Sequence, residues 1–359
     1  MDLGVADAGF QVLAAIEMDP FCCETLRDWQ GRKREVGKKI LQADIRTIDP
    51  AVLMKDLGLE KGKLDLLFGG PPCQAFSQIG KRESLDDERG MLLFQMVRFV
   101  QAFRPHALMV EQVKGLLNAP DRSGKAGGVF EMFLEKLEKL HYVPKWRVIN
   151  AADYGVPQLR QRVFIVATQA PNGFQFPAPT HTSDPSTLFP LPSHMTSGEA
   201  LEGLGRPLRL NGEPSPQDSH ADVTPLGDRT RIKGVPEGSH LAAQIHFPKE
   251  QLRRLTKKDT TKFRRLSRKE PSLTLRCGEI FFHPTQDRYL TPREYLRLHG
   301  YPDEYKLKGP IRSRSGRVRQ LDQHRQVANS VPPPVAKALA KSILTIIRCR
   351  KSSKSLAIH

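Results

Sequence analysis

The sequence predicts an α/β fold, an open sheet with helices on both faces, joined to a smaller irregular domain. Short apolar runs alternate with stretches whose apolar residues recur at helical spacing. The residues able to do chemistry sit where such runs end, and ligands bind at the carboxyl ends of strands in open α/β sheets. From about Pro171 to Gly238 the composition shifts to Pro, Ser, Thr, Gly and His with little periodicity. That span reads as a loop-rich recognition module or a partly disordered insert.

The chain has 359 residues, enough for one large domain with a full core and a smaller one. Its 56 basic against 39 acidic residues give a net charge of +17, which points to a polyanionic partner, nucleic acid rather than membrane. No apolar run is long enough to cross a bilayer, and no charged segment followed by an apolar stretch opens the chain. Five cysteines, an odd number without a Cys-x-x-Cys pair, speak against a disulfide framework and against zinc. A reducing, cytoplasmic setting is expected, with no metal.

In chain order, Val12 to Glu17 reads as a strand ending in an acid, and Asp19-Pro20 opens a helix through Leu26. Glu17 stands where an acid can accept hydrogen bonds from ribose hydroxyls, or merely caps the next helix. Ile40 to Ile45 reads as a strand carrying Asp44, which could bond an adenine amino group while Ile45 packs on the ring. Leu64 to Phe68 is a short buried strand that opens into Gly69-Gly70-Pro71-Pro72-Cys73-Gln74-Ala75-Phe76-Ser77. Paired glycines and prolines suggest a stiff loop that presents the Cys73 thiol as a nucleophile rather than as a core residue.

Leu93, Met96, Val97, Val100 and Phe103 form the core stripe of a helix that Arg104-Pro105 ends. Ala107 to Val113 is an apolar strand carrying Glu111, near Cys73 if the two strands are neighbours. A polar loop over Ser123 to Gly128 and an amphipathic helix over Phe130 to Leu140 follow. Gln158, Arg160 and Arg162 alternate before the buried strand Val163 to Ala167, which places all three on one face of an extended segment. Such a two-cation face suits a phosphate or a ring carbonyl.

A basic run from Lys249 to Lys269 includes Arg264 and Arg265 and is a plausible phosphate track. Ser272 to Arg276 reads as a strand, and Thr291-Pro292-Arg293-Glu294 starts a capped helix that Gly300-Tyr301-Pro302 ends. Three prolines, Pro332 to Pro334, prevent helix before Val335, from which an amphipathic helix runs to Ile347. The expected organisation is a catalytic and cofactor domain over 1–170, a target-recognition domain over 171–322, a returning segment over 323–348 and a disordered basic tail over 349–359.

Taken in order and spacing, these elements resemble the DNA (cytosine-5)-methyltransferases over nearly the whole chain. The resemblance runs from Asp2-Leu3-Gly4 and Ala8-Gly9-Phe10 through Glu17, Asp44, Pro71-Pro72-Cys73-Gln74, Glu111 and Gln158-x-Arg160-x-Arg162. It ends with Arg288-Tyr289-Leu290-Thr291 and Gln326 to Pro332. It implies a Rossmann-like S-adenosylmethionine-dependent methyltransferase sheet. Cys73 would add to C6 of cytosine so that C5 can take the methyl group, and Glu111 would hold or donate a proton at N3. Arg162, supported by Arg160, would hold the ring carbonyl. Glu17, Met18, Asp44, Ile45, Gly70, Pro71, Leu93, Asn329 and Ser330 would hold the cofactor, and Gln74, Ser77, Gln158, Arg264 and Arg265 would meet DNA.

The target base must leave the duplex, with Gln78 to Arg89 closing over the DNA. Double-stranded DNA is the expected partner of a monomer, in a bacterial restriction-modification setting whose endonuclease only gene neighbourhood would reveal. Two departures stand out. Glu111-Gln112-Val113 replaces the family's Glu-Asn-Val, for which a reduced rate is expected. The family also places a strand and a Phe-x-Gly-x-Gly loop, on the order of 10 to 15 residues, ahead of the residues matching Asp2-Leu3-Gly4. A late start codon, a truncation or a partner-supplied strand would each account for that. A DNA-binding relic without catalysis and an RNA cytosine-5 methyltransferase of similar fold are the alternative readings.

Overall fold

A computed structural model describes residues 1–32, 39–72, 92–169, 173–184, 190–209, 218–246, 263–312 and 320–356. Cys73, Gln74 and Ser77 lie outside these residues, as do the expected closing segment Gln78 to Arg89 and the basic positions from Lys249 to Lys262.

The first half of the chain is α1 (Asp2–Asp7), β1 (Ala14–Glu17), α2 (Pro20–Arg32), β2 (Lys39–Gln42), α3 (Pro50–Asp56), β3 (Leu66–Gly69), α4 (Leu92–Phe103), β4 (Ala107–Gln112), α5 (Gly128–Lys139), β5 (Val143–Asn150), β6 (Gln158–Leu159) and β7 (Gln161–Thr168). Then come α6 (Ser197–Leu201), β8 (Leu208–Arg209), β9 (Ala221–Asp222), α7 (Leu226–Ile232), β10 (Ser272–Leu273), α8 (Pro292–Leu298), α9 (Gln323–Asn329) and α10 (Pro333–Leu356). β3 and β4 are parallel neighbours, as Glu111 near the Cys loop requires, and the sheet continues through antiparallel β7 and β5 in the order β3-β4-β7-β5. β1 and β2 pair in parallel as a separate fragment.

Burial on both faces explains why β4 reads as an unbroken apolar run rather than an alternating one. Leu108 and Val110 pack on one side with Val97 and Val100 of α4 and Phe133 of α5, while Ala107 and Met109 turn to the other side. That second side is covered by α1 and by α10, whose Val335, Leu339, Ile343 and Ile347 share one cluster with Phe164 and Val166 of β7. The same cluster continues into Phe281, Leu290, Tyr295 and Leu298, so the later half of the chain shares its core with the sheet.

Local chemistry sets the later elements. Thr291 accepts from the Glu294 amide while the Glu294 side chain accepts from the Thr291 amide, a complete capping box for α8. Two expectations at the carboxyl end are corrected. α9 precedes the prolines, and α10 begins at Pro333, because proline in a first turn has no amide hydrogen bond to lose. α10 also runs to Leu356, so the basic residues after Arg348 continue a helix rather than a disordered tail.

Candidate active site

Glu111 stands near the carboxyl end of β4, paired in parallel beside the strand that leads into the Cys73 loop. A Cβ at Gly70 would come within 3.3 Å of Glu111 Oε2, so a side chain there would crowd the carboxylate. Arg162, at the start of β7, places its Nε 3.1 Å from Glu111 Oε1. Burial raises the Glu111 pKa above the usual carboxylate range, with Arg160 and Arg162 opposing it. The site therefore holds a carboxyl group that protonates more readily than an exposed one, beside a fixed cation. Gln112 Nε2 donates to the Pro71 carbonyl at 2.6 Å, so the residue that departs from the Glu-Asn-Val pattern ties the approach to Cys73 to β4.

Arg162 also lines a cleft of about 610 Å³ together with Lys114, Leu159, Thr274, Cys277 and Asn329. β10 closes one wall by pairing in parallel with β6. Asn329 is exposed at the end of α9, and its Oδ1 accepts from Cys277 Sγ at 2.7 Å.

The alternating segment differs from its expected two-cation surface. Gln158 is wholly buried: its Nε2 donates to Leu298 O and to His299 Nδ1, and its Oε1 accepts from the Leu275 amide. With both Nε2 hydrogens and Oε1 engaged in the interior and no surface exposed, it is not placed to meet DNA. Arg160 is 2% exposed and donates to Ala328 O at 3.0 Å and Ser330 O at 3.1 Å. It positions the Asn329 turn rather than touching substrate, and only Arg162 of the three reaches the cleft. His299 Nε2 donates to the same Ser330 carbonyl, so Gln158, Arg160 and His299 together fix the wall that carries Asn329.

Among the expected cofactor residues, Glu17 Oε1 accepts from the Asp19 amide at 2.8 Å, whereas α2 is capped by Asp19, whose Oδ1 accepts from the Cys22 amide; burial raises the Glu17 pKa. Met18 beside it is 66% exposed, an apolar side chain left open at a strand end. Asp44 lies past the end of β2, and Arg46 holds both its oxygens, with Nη2 at 2.5 Å from Oδ2. The Arg46 hydrogen bonds keep the Asp44 pKa low, and an adenine amino group would have to share a carboxylate already committed. Ile45 packs at the edge of the Leu53, Phe99 and Phe103 cluster. Leu93 is buried in the core, so the stripe reading holds for its side chain. Ser330 Oγ donates back to Val327 O and caps α9.

Of the DNA-contact residues, Arg265 is corrected: it is 5% exposed and bonds to His283 O, Gln286 O, Ile232 O and Asp287 Oδ1. It ties the loops around Ile232 and His283 to Asp287 together instead of facing phosphate. Arg264 is half-buried near Gly238 O. Sequence reasoning missed Lys114, Cys277 and His299. Their approach depends on β6 pairing with β10 across a separation of 114 positions, from Gln158 to Ser272, and no local pattern carries that information.

Comparison with known proteins agrees with this geometry. The family model for C-5 cytosine-specific DNA methylase matches residues 1–345. Type II methyltransferase M.NgoFVII of Neisseria gonorrhoeae is 31% identical over 353 residues, covering 96% of this chain and 84% of that protein. Type II methyltransferase M1.HphI of Haemophilus parahaemolyticus is 31% identical over 351 residues, covering 95% and 83%. Among solved structures, a DNA modification methyltransferase encoded within an E. coli prophage superposes with a TM-score of 0.66 at 21% identity, covering 96% of this chain and 95% of that one. Spodoptera frugiperda DNMT2 gives 0.59 at 16%, with 96% of each chain covered. At these identities the two structures speak for the fold.

Proposed function

Since the chain belongs to the C-5 cytosine-specific DNA methylases and is a DNA cytosine-5 methyltransferase, we propose that it methylates a flipped-out cytosine in a specific duplex sequence, with S-adenosylmethionine as the donor. The observation that carries the reading is the Glu111–Arg162 pair, packed against Gly70 at the entrance to the Cys73 loop. Glu111, whose pKa burial raises, keeps a proton for N3 of the ring. Arg162 faces the ring carbonyl and offsets the negative charge that develops when the Cys73 thiolate adds to C6. A free thiol has a pKa of about 8.5, so attack near neutral pH requires that the site favour the thiolate.

Residues at the carboxyl ends of β1 and β3 fit the donor. Glu17 offers a carboxylate, Met18 an exposed apolar side chain, and Gly70 a backbone without a side chain. Bound there, S-adenosylmethionine supplies an electrophilic methyl group. The chain's own residues orient the base, hold its proton and keep the ring carbonyl in place.

Residues 171–322 form the target-recognition region in this reading, and the net charge of +17 supports binding to the phosphate backbone. The Type II names of the relatives support a place in restriction-modification. Transfer of labelled methyl from S-adenosylmethionine to duplex DNA tests the proposal, with Cys73→Ala as the blank. Transfer that vanishes in the blank is expected. Transfer unaffected by the substitution would remove Cys73 from the mechanism, and labelling of RNA but not DNA would redirect the substrate.

A further inference from the structure

The cleft that Arg162 lines carries at its rim a cation that the catalytic reading does not employ. Among the described residues three cations line it, Lys114, Arg162 and Arg276, and no carboxylate does. Two of the three are committed. Lys114 Nζ donates to Gln161 Oε1 at 3.0 Å, while Arg162 pairs with Glu111 and donates to the Gln161 carbonyl. Arg276 is exposed, and among the described residues its guanidinium has no hydrogen bond and no ion pair.

The turn that carries this open side chain is nevertheless held on every side. Arg276 and Glu279 form an antiparallel bridge that closes the turn around Cys277 and Gly278. Before it, Leu275 is buried, its amide donating to Gln158 Oε1 at 3.2 Å and its carbonyl accepting from Arg160 Nη1 at 3.4 Å. After it, the Glu279 carbonyl accepts from the Tyr295 hydroxyl at 3.2 Å. At the tip, Cys277 Sγ donates to Asn329 Oδ1, and the Cys277 carbonyl accepts from Arg325 Nε. A cation that merely adds to a basic surface needs no such frame, whereas reading a base edge needs the side chain delivered in one register.

We infer that Arg276 is a specificity-determining residue, whose guanidinium donates two hydrogen bonds to O6 and N7 of a guanine beside the target cytosine. The inference rests on the proposed function: a cytosine turned out of the duplex into this cleft leaves its neighbouring base pairs at the rim. Guanine follows from the chemistry of the fork. Its major-groove edge alone presents two acceptors side by side, which the planar guanidinium matches; adenine and cytosine place an amino donor there, and thymine a single acceptor beside its methyl group.

Selection of duplexes from a random pool by the purified 359-residue chain, with Arg276→Ala in parallel, tests this through binding alone. Sequences bound by the parent should share a guanine next to a cytosine. In the variant, discrimination at that position should fall by about 5- to 150-fold while the other positions keep theirs, which also reports an intact fold. Replacing that guanine by 7-deazaguanine, which lacks the N7 acceptor, should weaken binding of the parent and leave that of the variant unchanged. A parent motif without such a guanine would overturn the inference, as would equal sensitivity of both proteins to 7-deazaguanine. So would a uniform loss across all sequences with a salt dependence shallower by about one phosphate, the mark of a backbone contact. A chain that selects the guanine but transfers no methyl group would leave Arg276 assigned and overturn only the catalytic reading.

Discussion

Glu111 draws its usefulness from a conflict. Burial disfavours its charge while Arg160 and Arg162 favour it, and burial dominates. A carboxyl group with a raised pKa releases its proton at higher pH than it would in the unfolded chain. Its contribution to stability is thus complete below the ordinary carboxylate range and is lost as pH rises through the raised value. In the proposed mechanism the same titration removes the proton that Glu111 would hold for N3. Methyl transfer by the parent should therefore fall on the alkaline side of that pKa, opposing the gain from thiolate formation. Glu111→Gln should lower the rate by about 10²–10⁴-fold and abolish that fall; a pH–rate profile of both proteins checks it. An unchanged profile in the variant would show that Glu111 moves no proton. The place of Glu111 was legible in the sequence because an acid near the end of an apolar strand needs a reason. Those of Gln158 and Arg160 were misread because alternation reveals which face a side chain occupies, not whether that face is covered. Here α8 and the Asn329 turn cover it.

Among elements, the strands and helices of the first half were readable because their apolar patterns arise locally. The four-residue strands β1 and β3 and the stripe of α4 needed no distant partner to be recognised. β10 could be expected as a strand, but its parallel pairing with β6 could not, and the cleft depends on that pairing. α10 shows how much one element can carry. Gly4 of α1 lies so close to it that a Cβ would stand 2.2 Å from the Pro333 carbonyl oxygen and 2.8 Å from Ala336 Cβ. Backbone cannot yield as a flexible side chain would. Gly4→Ala should cost about 1–3 kcal/mol by forcing the two helices apart. Gly205→Ala, at a site with open space around it, should stay within about 0.5 kcal/mol. Urea unfolding of the two variants decides it, and equal midpoints would mean that the α1–α10 contact is loose.

For the whole molecule, acid is the clearest stress. Burial pushes the His283 pKa down to about 4 against the opposing charge of Glu294, and burial holds His299 well below its usual range. The unfolded chain takes up these protons below about pH 6.5 and the folded chain does not. Stability from both groups is complete above that pH and drains away as pH falls toward 4. The melting temperature should drop between pH 7 and 5, and less steeply in His283→Gln than in the parent; parallel slopes would exonerate that histidine. Charge acts at this scale too. A net +17 keeps affinity for any polyanion dependent on salt, and the composition alone made that legible. The path of the DNA was not legible, because it depends on which cations remain outside: Arg265 is buried by four acceptors, from residues 232 to 287, that come together only in the folded chain.

The seating of α1 on α10 also has a consequence for biosynthesis. Asp7 and Lys337, 3.4 Å apart in the finished protein, are separated by 330 positions along the chain. At a translation rate of about 5–20 residues per second, α1 waits roughly 15 to 70 seconds on the ribosome before its partner emerges. Through that interval Leu3, Val5 and Ala6, buried in the folded protein, have no permanent cover. The face of α1 that α10 covers therefore stays open until late in synthesis, and the packing of the two helices is among the last contacts to form.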